Sequence, residues 1–234
     1  LGQGKCLEDA WRPGLVNFSA AVLADKAVGS GEGGSVFVSH ASAGREHSVV
    51  LDSGGVAYAF GANDDGQCGS APPPVIPAGG AVHNSDSDLL DMRRSVGMPK
   101  RVDGEQRFNS VSAGDHCSAA ITSCGRCYSW GGGWSFVTGH GHDSDIPIPS
   151  ALASLPALVV DAACGHRHSV FACCDGNVYT VGTGEYGRLG HGDELSTLWP
   201  EQVAALPRQI EESWADIQWP LPHEATTLQA YAQL

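Results

Sequence analysis

Cys164-Gly165-His166-Arg167-His168-Ser169 opens a stretch that runs on through Asp175-Gly176, Tyr179, Val181-Gly182 and Gly187-Arg188-Leu189-Gly190. The same order of residues occurs twice upstream. One copy is Ala43-Gly44-Arg45-Glu46-His47-Ser48, Gly54-Gly55, Tyr58, Phe60-Gly61 and Gly66-Gln67-Cys68-Gly69. The other is Ala113-Gly114-Asp115-His116-Cys117-Ser118, Gly125, Tyr128, Trp130-Gly131 and Gly139. Gly44 to Gly61, Gly114 to Gly131 and Gly165 to Gly182 are each 17 residues apart. Gly61 to Gly69, Gly131 to Gly139 and Gly182 to Gly190 are each 8. Two offsets held in register across three copies are a repeat, not chance.

Each unit closes on a proline with an apolar residue three positions later: Pro13/Val16, Pro99/Val102, Pro149/Leu152 and Pro200/Val203. The period from the second to the third unit is 51 residues, and that from the first to the second is 70, because a longer loop separates Gly69 from Pro99. Within a unit the pattern is β. His168-Ser169-Val170-Phe171-Ala172 and Val178-Tyr179-Thr180-Val181 flank Asp175-Gly176, a hairpin signal that recurs around Gly54-Gly55. A small sheet repeated about every 50 residues marks a propeller blade.

On the Gly-x-x-His-Ser element, the Asp-Gly-x-Val-Tyr hairpin, the aromatic-Gly pair and the Gly-x-Leu-Gly turn, the chain resembles the RCC1 (regulator of chromosome condensation) repeat family. The resemblance spans roughly residues 36–207 and is best at Gly165–Gly192. It implies an all-β, RCC1-like β-propeller with repeats over 1–207. Full units fall at about 36–102, 103–152 and 153–203, with a partial unit at 1–35, an insertion loop at 70–98 and a divergent tail at 208–234. Propellers of this family have seven blades, and 234 residues hold four to five units, so the expectation is part of a seven-bladed propeller. The remainder would come from the same polypeptide or from another chain.

Composition excludes several function classes. Lys and Arg number 13 against 26 Asp and Glu, a net charge of −13, which repels nucleic acid. No apolar run approaches the roughly 20 residues of a membrane-spanning helix, so membrane insertion is not expected. Glycine, at 31 residues, is abundant enough to serve many tight turns. The eight cysteines follow no disulfide or metal spacing. They read as reduced and mostly buried, hence an intracellular protein, cytoplasmic or cytoskeleton-associated, with the nucleus as an alternative. Cys124-Gly125-Arg126-Cys127 lacks the second pair a structural zinc site needs. His47 and His168 occupy one repeat slot, filled by Cys117 in the second unit, which points to packing rather than catalysis. His140, His142, His166 and His191 add a local group of imidazoles without a catalytic motif. Gly29–Gly34 matches Gly-x-Gly-x-x-Gly, but a β-like run follows it, so it reads as a loop. No enzyme activity, metal or cofactor is expected.

Candidate binding residues lie where units differ. The loops after the aromatic-Gly pair carry Asp64 and Asp65, then Trp134 and Phe136, then Glu185, Tyr186 and Arg188. In the insertion, Ser87 or Asp88 could cap a short helix presenting Leu89, Leu90 and Met92 to a partner. Acidic and aromatic groups together suit a basic, partly apolar protein. The expected function is therefore a protein–protein interaction scaffold or a structural subunit of a larger assembly. The resemblance also implies an alternative, a guanine-nucleotide exchange factor for a small GTPase. A further alternative is a regulatory propeller segment of a larger ligase or kinase. Plant ultraviolet-B photoreceptors of this type place Trp two residues before the His slot. Here Arg45-Glu46, Asp115-His116 and His166-Arg167 precede the slot.

Overall fold

The structure, a computed structural model, describes Val16, residues 37–72 and residues 95–204. Asp88, Leu89, Leu90 and Met92 lie outside the described residues, as do Gly29–Gly34 and the tail at 208–234.

Among the described residues, twelve strands form three antiparallel sheets of four, each in sequential order. The first holds β1 (Val38–Ala43), β2 (His47–Asp52), β3 (Ala57–Ala62) and β4 (Ser95–Arg101). The second holds β5 (Phe108–Ala113), β6 (Cys117–Thr122), β7 (Cys127–Gly131) and β8 (Ile146–Ala151). The third holds β9 (Val159–Cys164), β10 (His168–Cys173), β11 (Val178–Gly182) and β12 (Thr197–Gln202). β5 packs against β1 and β2, and β9 against β5 and β6, so the sheets lie face to face as successive blades. β4 takes up Ser95–Met98, the last residues of the stretch read as a loop, by pairing Ser95 with Ala62 and Val96 with Gly61.

The repeat residues have physical reasons to recur. Gly61, Gly131 and Gly182 adopt φ of 113°, 102° and 118°. A Cβ at any of them would strike the carbonyl of Glu46, His116 or Arg167, the residue just before the His/Cys slot. Those carbonyls accept from the next amides, Ala62, Gly132 and Thr183, each at 2.8 Å. Val102, Leu152 and Val203 follow the repeat prolines, and their amides close onto the carbonyls of Ala57, Cys127 and Val178.

Two apolar cores fill the gaps between blades. Val49, Leu51, Phe108, Val111 and Trp130 lie between the first two sheets. Ile121, Leu152, Val159, Phe171, Tyr179 and Val181 lie between the second and third. A serine staples each gap. Ser118 Oγ donates to Gln67 O at 3.0 Å, and Ser169 Oγ donates to Val137 O at 2.7 Å. Gln67 and Val137 each sit six residues after the repeat glycine, so the staple is itself part of the repeat.

Candidate functional site

The turns that follow each third strand carry the variable residues, and the repeat puts these turns on one side of the blades. In the second and third blades they are single 3₁₀ turns, Trp134–Phe136 and Glu185–Gly187. Ser135, Phe136 and Tyr186 adopt φ of 63°, 58° and 63°, a left-handed conformation uncommon outside glycine. Each turn is tied at its base. Gly133 N donates to Asp145 Oδ1 at 3.1 Å, and Gly184 N donates to Ser196 Oγ at 3.2 Å. The first blade uses Asn63 instead. Its buried side chain donates to Ser70 O and accepts from Cys68 N.

Between the blades these turns meet the residues that precede each His/Cys slot. Asp65 Oδ2 lies 3.0 Å from His116 Nδ1. The His116 ring packs edgewise on Trp134 at 5.3 Å between centroids. Trp134 in turn meets His166 edgewise at 5.7 Å, and His166 Nδ1 bonds Asp115 Oδ2. The Arg167 guanidinium lies 5.6 Å from the Trp134 ring centre. Arg167 then pairs with Glu185 at 3.8 Å, Arg188 pairs with the same carboxylate at 3.6 Å, and Arg188 stacks 5.6 Å from the Tyr186 ring. One strip of alternating acid, aromatic and base thus crosses all three blades. Exposed pairs of this kind contribute about 0–1 kcal/mol each, so the strip adds little to the stability of the fold.

Of the expected residues, the structure brings Asp65, Trp134, Glu185, Tyr186 and Arg188 into this strip. Asp64 is exposed and occupies the repeat position of Trp134 and Glu185. Phe136 is half-buried and serves its own turn, donating its amide to Gly133 O and accepting from Gly139 N. Sequence reasoning missed His116, Asp115, His166 and Arg167 as members. Their signal was present: the two positions before the slot are polar in every unit yet differ from unit to unit. Tyr186 is 87% exposed, a large aromatic ring standing in solvent at the tip of its turn. Beside it, Tyr186, Gly187, Gly190, Gly192, Asp193 and Glu194 line an open depression with an acidic rim.

The remaining imidazoles do other work. His47 Nε2 lies 2.8 Å from Ser118 Oγ, linking neighbouring blades. Burial, with His116 nearby, lowers the His47 pKa to about 4. His140 Nε2 reaches Ser129 Oγ at 2.9 Å and stacks on His142, and His191 Nε2 reaches Thr180 Oγ1 at 3.1 Å. Burial and the His142 charge hold the His140 pKa below the usual range. Cys124 is exposed and bonds Thr122 Oγ1 at 3.2 Å, whereas Cys127 points into the second core. Among the described residues no three His, Cys, Asp or Glu side chains converge as a metal site would require, and no helix is long and apolar enough to cross a membrane.

Comparison with known proteins places this geometry. The profile described as "Regulator of chromosome condensation (RCC1) repeat" matches residues 54–121, 124–172 and 175–218, and a second profile of the same description matches 38–67. The regulator of chromosome condensation of Homo sapiens is 33% identical over 203 residues, covering 83% of this chain and 39% of that protein. The ultraviolet-B receptor UVR8 of Arabidopsis thaliana is 32% identical over 166 residues, covering 70% of this chain and 34% of its own. The E3 ubiquitin-protein ligase HERC2 of Homo sapiens is 44% identical over 96 residues, which is 41% of this chain and 2% of the ligase. The crystal structure of Prp20p from Saccharomyces cerevisiae, a protein with binding properties to Gsp1p and histones, aligns with a TM-score of 0.57 at 25% identity. It covers 71% of this chain and 38% of Prp20p. This chain therefore spans little more than a third of the full-length relatives matched along most of it.

Proposed function

The chain belongs to the RCC1 repeat family, a β-propeller family, and from that premise we propose that it is a non-enzymatic protein-interaction scaffold. It would bind through the strip from Asp65 to Arg188. The observation that carries this reading is Tyr186, a ring 87% exposed and set on a left-handed backbone at the end of a strip that joins three blades. Fold stability gives no reason to hold an aromatic ring there, whereas aromatic and arginine side chains dominate the energetics of protein interfaces. Acidic groups at Asp64, Asp65, Glu185, Asp193 and Glu194 set the partner as basic and partly apolar.

The test compares the full chain with a Trp134→Ala/Tyr186→Ala variant in quantitative affinity capture, with Val160→Ser on exposed β9 as the surface control. Partners bound through the strip are expected to fall at least about tenfold for the double variant and to persist for the control. Equal capture by all three would remove the strip as the binding face.

A second reading, exchange activity on a small GTPase, is favoured by the likeness to the regulator of chromosome condensation over 83% of this chain. Accelerated release of a labelled guanine nucleotide from a GTPase would establish it. A third, a regulatory propeller segment within a larger ligase, draws on the 44% identity to HERC2.

A further inference from the structure

Cys117 and Cys164 meet at the interface between the second and third blades. Cys117 begins β6 in the slot that holds His47 and His168 in the other units. Cys164 ends β9 in the position held by Ala43 and Ala113. At the first interface the corresponding pair is therefore a large imidazole and a small methyl. At the second, two thiols share that space, one smaller than the imidazole it replaces and the other larger than the methyl. Both side chains converge on Gly114, where a Cβ would lie 3.1 Å from Cys117 Sγ and 3.0 Å from Cys164 Cβ. The two thiols are close enough to influence each other's ionisation. Cys117 is buried, and Cys164, the last residue of its strand, is half-buried.

We propose that Cys117 and Cys164 form a reversible inter-blade disulfide, closed by a small peroxide and opened by a thiol reductant. The Cys164 thiolate attacks one peroxide oxygen. The O–O bond breaks, hydroxide leaves and takes up the thiol's proton as water, and Cys164 becomes a sulfenic acid. Cys117 then attacks Cys164 Sγ, forming the S–S bond and expelling the sulfenic oxygen, which leaves as water with the Cys117 proton. Two thiols lose two electrons, and one peroxide is reduced to two waters. The neighbouring Cys117 favours the Cys164 thiolate against the cost of its burial, with Ser169 and Ser112 adding to the effect, while Cys117 itself is held protonated by Cys164 and by burial. The asymmetry matches the order of attack, since the thiolate is the reactive form. The closed bond would add a covalent link between two blades otherwise joined by packing and hydrogen bonds.

The experiment treats the folded full chain with hydrogen peroxide, removes the oxidant, and alkylates free thiols in denaturant. Intact mass then counts the thiols, and fragment spectra locate any bridge. The expected result is reversible loss of two alkylated thiols, restored by dithiothreitol, with a fragment joining Cys117 to Cys164. Cys117→Ala and Cys164→Ala should each abolish the two-thiol loss. Cys117→His/Cys164→Ala, which installs the residues of the first interface, should keep the native circular dichroism and lose the bridge. A two-thiol loss that persists in these variants, as a Cys124–Cys127 bridge would, overturns the proposal. So does a wild-type chain that stays folded under peroxide with all its thiols alkylatable. Because the wild-type fragments alone locate the bridge, a variant that fails to fold does not protect the idea.

Discussion

The two blade interfaces are built on one plan and filled with different chemistry. At the first, His47, Ser118 and Trp130 meet around one buried carbonyl: His47 Nε2 bonds Ser118 Oγ, and both Ser118 Oγ and Trp130 Nε1 donate to Gln67 O at 3.0 Å. At the second, Ser169 makes the same bond to Val137 O, but Cys117 and Cys164 replace the His and Ala, and Val181 stands where Trp130 does. The serine staple is common to both gaps; the slot residue is not. The difference teaches that the staple sets the spacing of the blades, while the histidine of the repeat fills volume and can be exchanged when its neighbour compensates. The first interface is thereby the more polar, and it alone holds a deeply buried imidazole.

The largest break in that comparison is Trp130→Ala. Trp130 is fully buried and packs 6.3 Å from the Phe108 ring. Its loss should cost about 3–5 kcal/mol, read as a lower urea midpoint at unchanged slope. Val181→Ala, at the same repeat position in the third blade, removes far less volume and should cost clearly less. Equal costs would mean that the two interfaces are not distinct in energy.

Acid separates the interfaces next. His47 has its pKa lowered from 6.5 to about 4, first by burial and then by His116. The folded state therefore refuses a proton that the unfolded chain accepts. Stability contributed by neutral His47 is complete above pH 6.5, falls as pH drops through the window from 6.5 to about 4, and levels off below it. The expected loss across the window is about 3 kcal/mol. His47→Cys, which installs the residue of the second interface, should remove that slope from urea midpoints measured between pH 7 and 4 (carboxylates titrate alike in both chains). An unchanged slope would place the acid sensitivity elsewhere.

These particular residues also show how far the sequence could be read. The repeat glycines, the hairpins and the proline closures were legible because backbone geometry forces them: Gly61, Gly131 and Gly182 sit where a side chain would strike a carbonyl. The recurrence of Ser118 and Ser169 was visible, but not its purpose, because the carbonyls they bond belong to the preceding unit, 51 residues back for Ser118 and 32 for Ser169. The candidate face was half legible. Trp134, Glu185 and Tyr186 stood out as departures within one kind of loop. Their companions His116, His166 and Arg167 come from a different turn of the neighbouring strands, and only the stacking of blades brings them together. For the same reason, Cys117 and Cys164 looked like unrelated packing residues. Their proximity arises across an interface, not along a strand.

The serine staple itself gives a smaller effect. Ser118→Ala deprives His47 Nε2 of its partner in a buried site where Nδ1 already has none. Ser169→Ala leaves the Val137 carbonyl short of a donor but strands no imidazole. Unsatisfied buried groups cost about 1–3 kcal/mol, so both variants should be destabilised, with Ser118→Ala at the upper end and Ser169→Ala at the lower. The reverse order would contradict the account of the first interface as a connected polar unit.

Smallest of all should be the effect of Glu185→Gln on folding. Glu185 is exposed and holds Arg167 at 3.8 Å and Arg188 at 3.6 Å. Each pair is open to solvent and screened by salt, so the urea midpoint should move by less than about 1 kcal/mol equivalent, and by still less at high ionic strength. The two arginines would nonetheless lose the carboxylate that orients them, one beside Trp134 and the other beside Tyr186. A binding defect in this variant, at unchanged stability, would have to come from the face and not from the scaffold beneath it. A large loss of stability would show instead that the strip helps to hold the blades together, and the interior and the face could then no longer be treated as separate regions.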